Sequence, residues 1–169
     1  MNQKLHKTVQ TALFIALVAI ASMLIRIPSP MQGYINCGDC LCLLAGWLLG
    51  PVGGFAAGGI GSALSDLLSG YSLYVIGTFF IKGMLSLSAA LIYRPFSKSK
   101  RKQLRLTGLC LSSTVSEAVM ILGYYIYACF LFGNRTSALA TIPGNALQGI
   151  FGMVSGILLY PLLKKILTR

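Results

Sequence analysis

Charge is what this chain of 169 residues has least of: only 10% of the residues are Asp, Glu, Lys or Arg, while 56% are hydrophobic. A water-soluble domain carries roughly 25% charged residues, so there is too little charge here to cover a water-facing exterior. The mean hydropathy of +0.77 agrees. Acidic residues are scarcest, with only Asp39, Asp66 and Glu117, which is thin for a proton relay. The single histidine, His6, lies near the start of the sequence and leaves no Ser–His–Asp catalytic set. No G-x-x-x-x-G-K-[ST] loop is present to cradle nucleotide phosphates. The five cysteines show no disulfide framework. Cys37-Gly38-Asp39-Cys40 has redox or metal spacing, but with no second pair and no nearby His it reads as small side chains at a helix start. No catalytic residue, metal or cofactor is expected.

What is present is long apolar sequence, and the class is a polytopic all-α integral membrane protein of one domain, residues 1–169. The net charge of +11 could suggest a nucleic-acid binder. Its distribution argues otherwise. The cations cluster at Lys4 and Lys7, at Arg94, Lys98, Lys100, Arg101, Lys102 and Arg105, and at Lys164, Lys165 and Arg169. Each cluster flanks apolar segments, as cytoplasmic loops do under the positive-inside rule. Lys4 and Lys7, with Ala19-Ile20-Ala21 beyond them, resemble a signal peptide. The apolar run continues past that point, so this stretch is read as a first membrane helix.

Hydropathy places six helices near residues 7–25, 40–50, 52–69, 73–93, 106–132 and 142–167, with Gly50-Pro51 as a tight turn between the second and third. Six crossings put both termini and the basic loop at 94–105 on the cytoplasmic side together, which five cannot do. A lid loop at about 27–39 falls on the outer face. Small residues recur at four-residue spacing: Ala12 and Ala16 with Ala19 following, Gly54 and Gly58, Ala57 and Gly61, Gly152 and Gly156. Such spacing lets helix backbones approach closely in lipid. Internal packing suffices for the later pairs, whereas Ala12, Ala16 and Ala19 on a terminal helix suit an external partner helix.

Two charges interrupt the apolar runs, Lys82 and Glu117. A charge near the bilayer centre costs at least ~3 kcal/mol and faces a cavity, a partner or a solute. Both fall about 15 Å into their helices, from opposite faces, so they are expected to pair with each other, with a solute, or with both. Asn36 and Asp39 lie at the outer start of the second helix, Asp66 near the outer end of the third, and Asn145 and Gln148 on one face of the sixth. Tyr71, Tyr74, Phe79 and Phe80 lie on or near the fourth helix, and Tyr124, Tyr125 and Tyr127 on the fifth. Together these groups converge on an outward-facing chamber suited to a flat heterocycle. Trp47 reads as packing.

Linked motifs then resemble a known family. They are Tyr34-Ile35-Asn36-x-Gly38-Asp39, Leu48-Leu49-Gly50-Pro51-x-Gly53-Gly54, Gly61-Ser62-Ala63-Leu64-Ser65-Asp66-Leu67-Leu68-Ser69-Gly70-Tyr71, Thr78-Phe79-Phe80-Ile81-Lys82-Gly83, and Pro143-Gly144-Asn145-x-x-Gln148. The pattern is similar to substrate-binding S components of energy-coupling factor (ECF) vitamin transporters, in the riboflavin-transporter-like branch that includes hydroxymethylpyrimidine and pyridoxine-type proteins. Cys37 and Cys40 depart from it, standing where aliphatic residues are expected. The resemblance implies a multi-pass protein of the bacterial plasma membrane that binds a small aromatic vitamin or precursor beneath the loop joining helices one and two. It implies partnership with a membrane coupling subunit, docked on Ala12 and Ala16, and with two cytoplasmic ATPases that hydrolyse ATP in its stead. Pyridoxine-type compounds or hydroxymethylpyrimidine are the expected ligands, with riboflavin or a deazapurine-type queuosine precursor as alternatives. Lys82, Glu117, Asn145 and Gln148 would contact the ligand, helped by Tyr124 and Phe79, while Asn36 and Asp39 order the lid.

Two other classes compete. A self-sufficient secondary transporter would show an inverted repeat, and none is evident between 1–70 and 71–169. An assembly subunit with a merely structural polar core would bind no ligand at all.

Overall fold

A computed structural model describes residues 3–29 and 33–167; Pro30, Met31 and Gln32 of the expected lid, and the basic Arg169, lie outside the described residues. In chain order the elements are α1 (Gln3–Leu24), β1 (Arg26–Ser29), β2 (Gly33–Asn36), α2 (Gly38–Leu68), α3 (Val75–Ser97), α4 (Lys102–Phe132), the single turn α5 (Arg135–Ala138) and α6 (Thr141–Leu167). Five helical stretches are long and apolar enough to cross a membrane.

The lid is not the loop expected from sequence but an antiparallel β-hairpin, with Arg26 opposite Asn36, Ile27 opposite Ile35 and Pro28 opposite Tyr34. Ile27 and Ile35 favour extended backbone, and Pro28 is tolerated because a two-stranded ribbon is all edge. The basic loop is also shorter than expected. Helix α3 runs on to Ser97 and α4 starts at Lys102, so Arg94, Lys102 and Arg105 stand on helix ends and Lys98, Lys100 and Arg101 remain between them.

The segment α2 is two helices meeting at Gly50, whose φ of 82° and ψ of −172° break the helix just before Pro51. A Cβ placed on Gly54 would lie 2.7 Å from the Gly46 Cα. Residues eight apart in a straight helix are ~12 Å apart, so the chain reverses at Gly50. The arms 38–49 and 51–68 pack against each other, as the Gly50-Pro51 signal anticipated.

In lipid, helix association draws on close packing, because tails are as apolar as the side chains. The glycines supply that closeness. A Cβ on Gly46 would lie 2.3 Å from the Ser86 carbonyl oxygen of α3, and one on Gly58 would lie 2.7 Å from the Lys82 carbonyl oxygen. One on Gly61 would lie 2.7 Å from the Ile15 carbonyl oxygen of α1. Thus α2 is clasped between α1 and α3 through its small faces. Phe14, Val18, Leu43, Leu44, Leu85 and Met120 fill the interior. Leu13, Ile76, Leu122, Phe130 and Leu158 point outward, as lipid-facing side chains do.

At one end of the bundle Tyr160 meets Trp47 and Tyr93 edge to face, the latter two rings tilted at 59° to each other, with Trp47 Nε1 donating to Ser112 Oγ at 2.9 Å. Lys7 of α1 lines a groove with residues around the Gly50 turn. Lys102 of α4 and Lys165 of α6 share another groove. The described cations of the three basic clusters therefore gather at this end, opposite the hairpin.

Replacing Gly46 by Val should lower stability by about 3 kcal/mol, since the new side chain meets fixed backbone. Gly133→Ala, at φ 64° with nothing within 4 Å, should cost only the ~1–2 kcal/mol of a left-handed alanine. Thermal unfolding of the purified variants in one detergent checks the order; equal losses would discount the α2–α3 contact.

Candidate functional site

The hairpin covers a cavity built by every long helix. Helix α1 contributes Ser22, β2 contributes Tyr34 and Asn36, and the second arm of α2 contributes Ser62 and Asp66. Tyr74 at the cap of α3, Thr78 and Lys82 follow at four-residue spacing on one face, and Thr141, Asn145 and Gln148 follow at steps of four and three along α6. Tyr71 and Tyr124 complete the wall. The cavity contains about 560 Å³ of space between its walls, its open mouth included.

Its floor is a buried ion pair. Lys82 Nζ donates to Asp39 Oδ1, with both side chains shut off from solvent. The second Asp39 oxygen accepts from Gln148 Nε2 at 2.6 Å. Gln148 Oε1 in turn accepts from the Asn36 backbone N–H at 2.7 Å, and Asn36 Oδ1 from the Gly38 N–H at 2.8 Å. One chain of polar contacts thus joins α3, the start of α2, α6 and the lid. Asp39 in the first turn of α2 also suits the positive end of that helix. Lys82 Nζ stands 5.4 Å from the centre of the Tyr124 ring, within cation–π range.

The expected pairing of Lys82 with Glu117 does not form; Asp39 takes the lysine instead. Asp39 reaches the lysine because the first turn of α2 starts buried inside the bundle, beneath the hairpin. Glu117 is buried beneath α6, its oxygens about 3 Å from where Cβ atoms on Gly149 and Gly152 would stand. Neither oxygen finds a hydrogen-bond partner among the described residues.

Of the residues singled out from sequence, Lys82, Asn145, Gln148, Asn36 and Tyr124 line the cavity. Asp39 lies beneath it, Glu117 behind it, and Phe79 packs edge-on against Phe55 at 5.5 Å between ring centres. Ala12 and Ala16 are exposed on α1, whereas Ala19 is buried. The carboxylate facing the cavity is Asp66. Its Oδ1 accepts from Tyr34 O–H at 2.7 Å, while Oδ2 is buried without a partner among the described residues, as is the Ser22 hydroxyl. Ser22, Tyr34, Ser62, Thr78 and Thr141 were not anticipated as lining. The i, i+4 steps from Lys82 to Thr78 and from Asp66 to Ser62 carry that signal in the sequence. In the lid, burial and the Asp66 carboxylate push the Tyr34 phenol above its ordinary value, so it remains a donor. The Cys37 thiol is also raised, by burial and by Asp39, which disfavours the thiolate that redox or metal chemistry needs.

A helical membrane bundle with a lidded cavity of aromatic and polar side chains defines a solute-binding membrane protein. A family model described as the S component of an ECF-type riboflavin transporter matches residues 2–165, and the chain belongs to that family. It is 37% identical over 149 residues to a Pyrococcus woesei protein described as an uncharacterized protein in gap 3'region, covering 88% of this chain and 95% of that one. A solved structure reported as "Structure and mechanism of the S component of a bacterial ECF transporter" has a TM-score of 0.73 to it. That match spans 99% of this chain and 100% of the other at 24% identity, which establishes the fold. The protein is therefore a multi-pass integral component of a plasma-membrane transporter, with a substrate-binding role rather than an enzymatic one.

Removing one member of a buried pair strands the other charge and costs about 3–5 kcal/mol. Lys82→Met should show this as a large drop in melting temperature in detergent. Adding Asp39→Asn should recover at least part of the loss, since the amide still accepts from Gln148. A double variant no more stable than Lys82→Met would mean that the pair carries no such constraint.

Proposed function

We propose that this chain binds a small aromatic vitamin or vitamin precursor from the outer side and delivers it inward with a membrane coupling subunit and two ATPase subunits. The observation that carries this reading is the lidded cavity, with four tyrosines, an ion pair at its floor and an Asp66 oxygen that has no partner among the described residues. The arms of α2 count as two crossings in this reading. That makes six, with both termini and all three basic clusters cytoplasmic under the positive-inside rule and the hairpin outside. Exposed Ala12 and Ala16 then present the close-packing face to the coupling subunit.

The tyrosine rings offer faces to a flat heterocycle. Lys82, Asn145 and Gln148 meet its ring nitrogens and hydroxyls, and Asp66 Oδ2 accepts from one of its N–H or O–H groups. Glu117 acts through Asp39 and α6. A single-ring ligand, pyridoxine-type or hydroxymethylpyrimidine, suits the closed lid, where the Tyr34 and Tyr71 rings are 4.5 Å apart and Tyr34 is tied to Asp66. Riboflavin is the second reading, favoured by the family model. It asks the lid to swing outward to admit three fused rings.

A thermal-shift panel of vitamins and precursors on the purified chain tests this directly. A ligand at 100 times its dissociation constant stabilises the fold by ~2.7 kcal/mol. A single-ring hit supports the first reading, and a riboflavin hit the second. Asp66→Asn should weaken the hit by about tenfold, or ~1.4 kcal/mol. A panel with no shift at all would count against solute binding by this cavity.

A further inference from the structure

The end of the bundle opposite the hairpin carries a second groove, between the start of α4 and the end of α6, with about 880 Å³ of space including its open side. Its rim holds four cations, Lys102 and Arg105 from α4 with Lys164 and Lys165 from α6. Its wall is apolar, formed by Leu106, Leu109 and Ile157. Tyr160 forms part of the lining and accepts a hydrogen bond from Tyr93 O–H at 2.9 Å, which leaves its own O–H to donate elsewhere.

No acidic side chain lines this rim. Lys164 and Lys165 suit the negative end of α6. Lys102 and Arg105 occupy the first turn of α4, the positive end, where cations are repelled. That turn contains no acidic residue, and its cap, Arg101, makes no side-chain bond to the exposed N–H groups. The three acidic side chains, Asp39, Asp66 and Glu117, lie elsewhere. Glu117 is the nearest along α4, fifteen residues or about 22 Å from Lys102.

A cationic rim above an apolar wall, on helices that cross a membrane, complements an anionic amphiphile. We infer that this groove binds an anionic phospholipid of the adjacent leaflet. Its phosphodiester occupies the rim between Lys102, Arg105 and Lys165, and its acyl chains follow Leu106 and Ile157. The site is separate from the lidded cavity and does not depend on the identity of the transported solute.

The test uses the full chain in a neutral detergent, with added phosphatidylglycerol, phosphatidylcholine or inorganic phosphate. Thermal unfolding and native mass spectrometry read the binding. Phosphatidylglycerol should raise the melting temperature and remain bound, and phosphatidylcholine should not. Lys102→Gln with Arg105→Gln should weaken the apparent affinity about tenfold or more. Lys4→Gln with Lys7→Gln, the same loss of charge on α1, should leave it unchanged, as should the charge-keeping Lys102→Arg with Arg105→Lys. Equal response to both lipids would overturn the proposal and leave the groove to a protein partner. Equal loss in the two Gln pairs would reduce it to diffuse surface charge. Full stabilisation by inorganic phosphate would replace the lipid with a free anion.

Discussion

The buried pair of Lys82 and Asp39 is the constraint from which the rest of the fold is organised. A lysine inside a membrane helix costs at least ~3 kcal/mol unless a partner or cavity receives it. The partner comes from the first turn of α2, so that turn has to lie at the level of Lys82 rather than at the membrane surface. The first arm of α2 is then only residues 38–49, about 18 Å long in a core ~30 Å thick. The hairpin lies above it and forms part of the cavity wall through Tyr34 and Asn36.

Small residues make that geometry possible. Gly152 leaves room for the Asp39 side chain, since a Cβ there would stand 2.7 Å from the Asp39 Cβ. Gly46 and Gly58 let α2 lie against the α3 backbone that carries Lys82. Ion pair and glycine packing therefore support one another, and loosening either would leave buried charge without its partner. Gln148 extends the same network to the lid through the Asn36 backbone. A ligand that meets Gln148 would thus be sensed directly by the element that covers it.

The two ends of the bundle differ in charge. Every carboxylate belongs to the body of the helices or to the half under the hairpin, while the three basic clusters gather at the opposite end. The separation leaves each end with its own chemistry. One is an aromatic, hydrogen-bonding chamber, and the other a cationic groove open to lipid.

Composition and local pattern determined the membrane class, the all-helical body and the break at Gly50-Pro51, because each depends on neighbouring residues alone. Helical spacing likewise placed Lys82, Asn145 and Gln148 on faces that could converge. Which acid meets Lys82 was decided only by tertiary structure. Asp39 and Glu117 lie 43 and 35 residues from it, and the choice turns on where α2 begins beneath the paired strands β1 and β2. The same holds for Tyr34 and Ser22, whose roles depend on the lid folding back over the bundle. Periodicity assigns a residue to a face, but the depth of a helix in the membrane is set by the side chains that pack around its end.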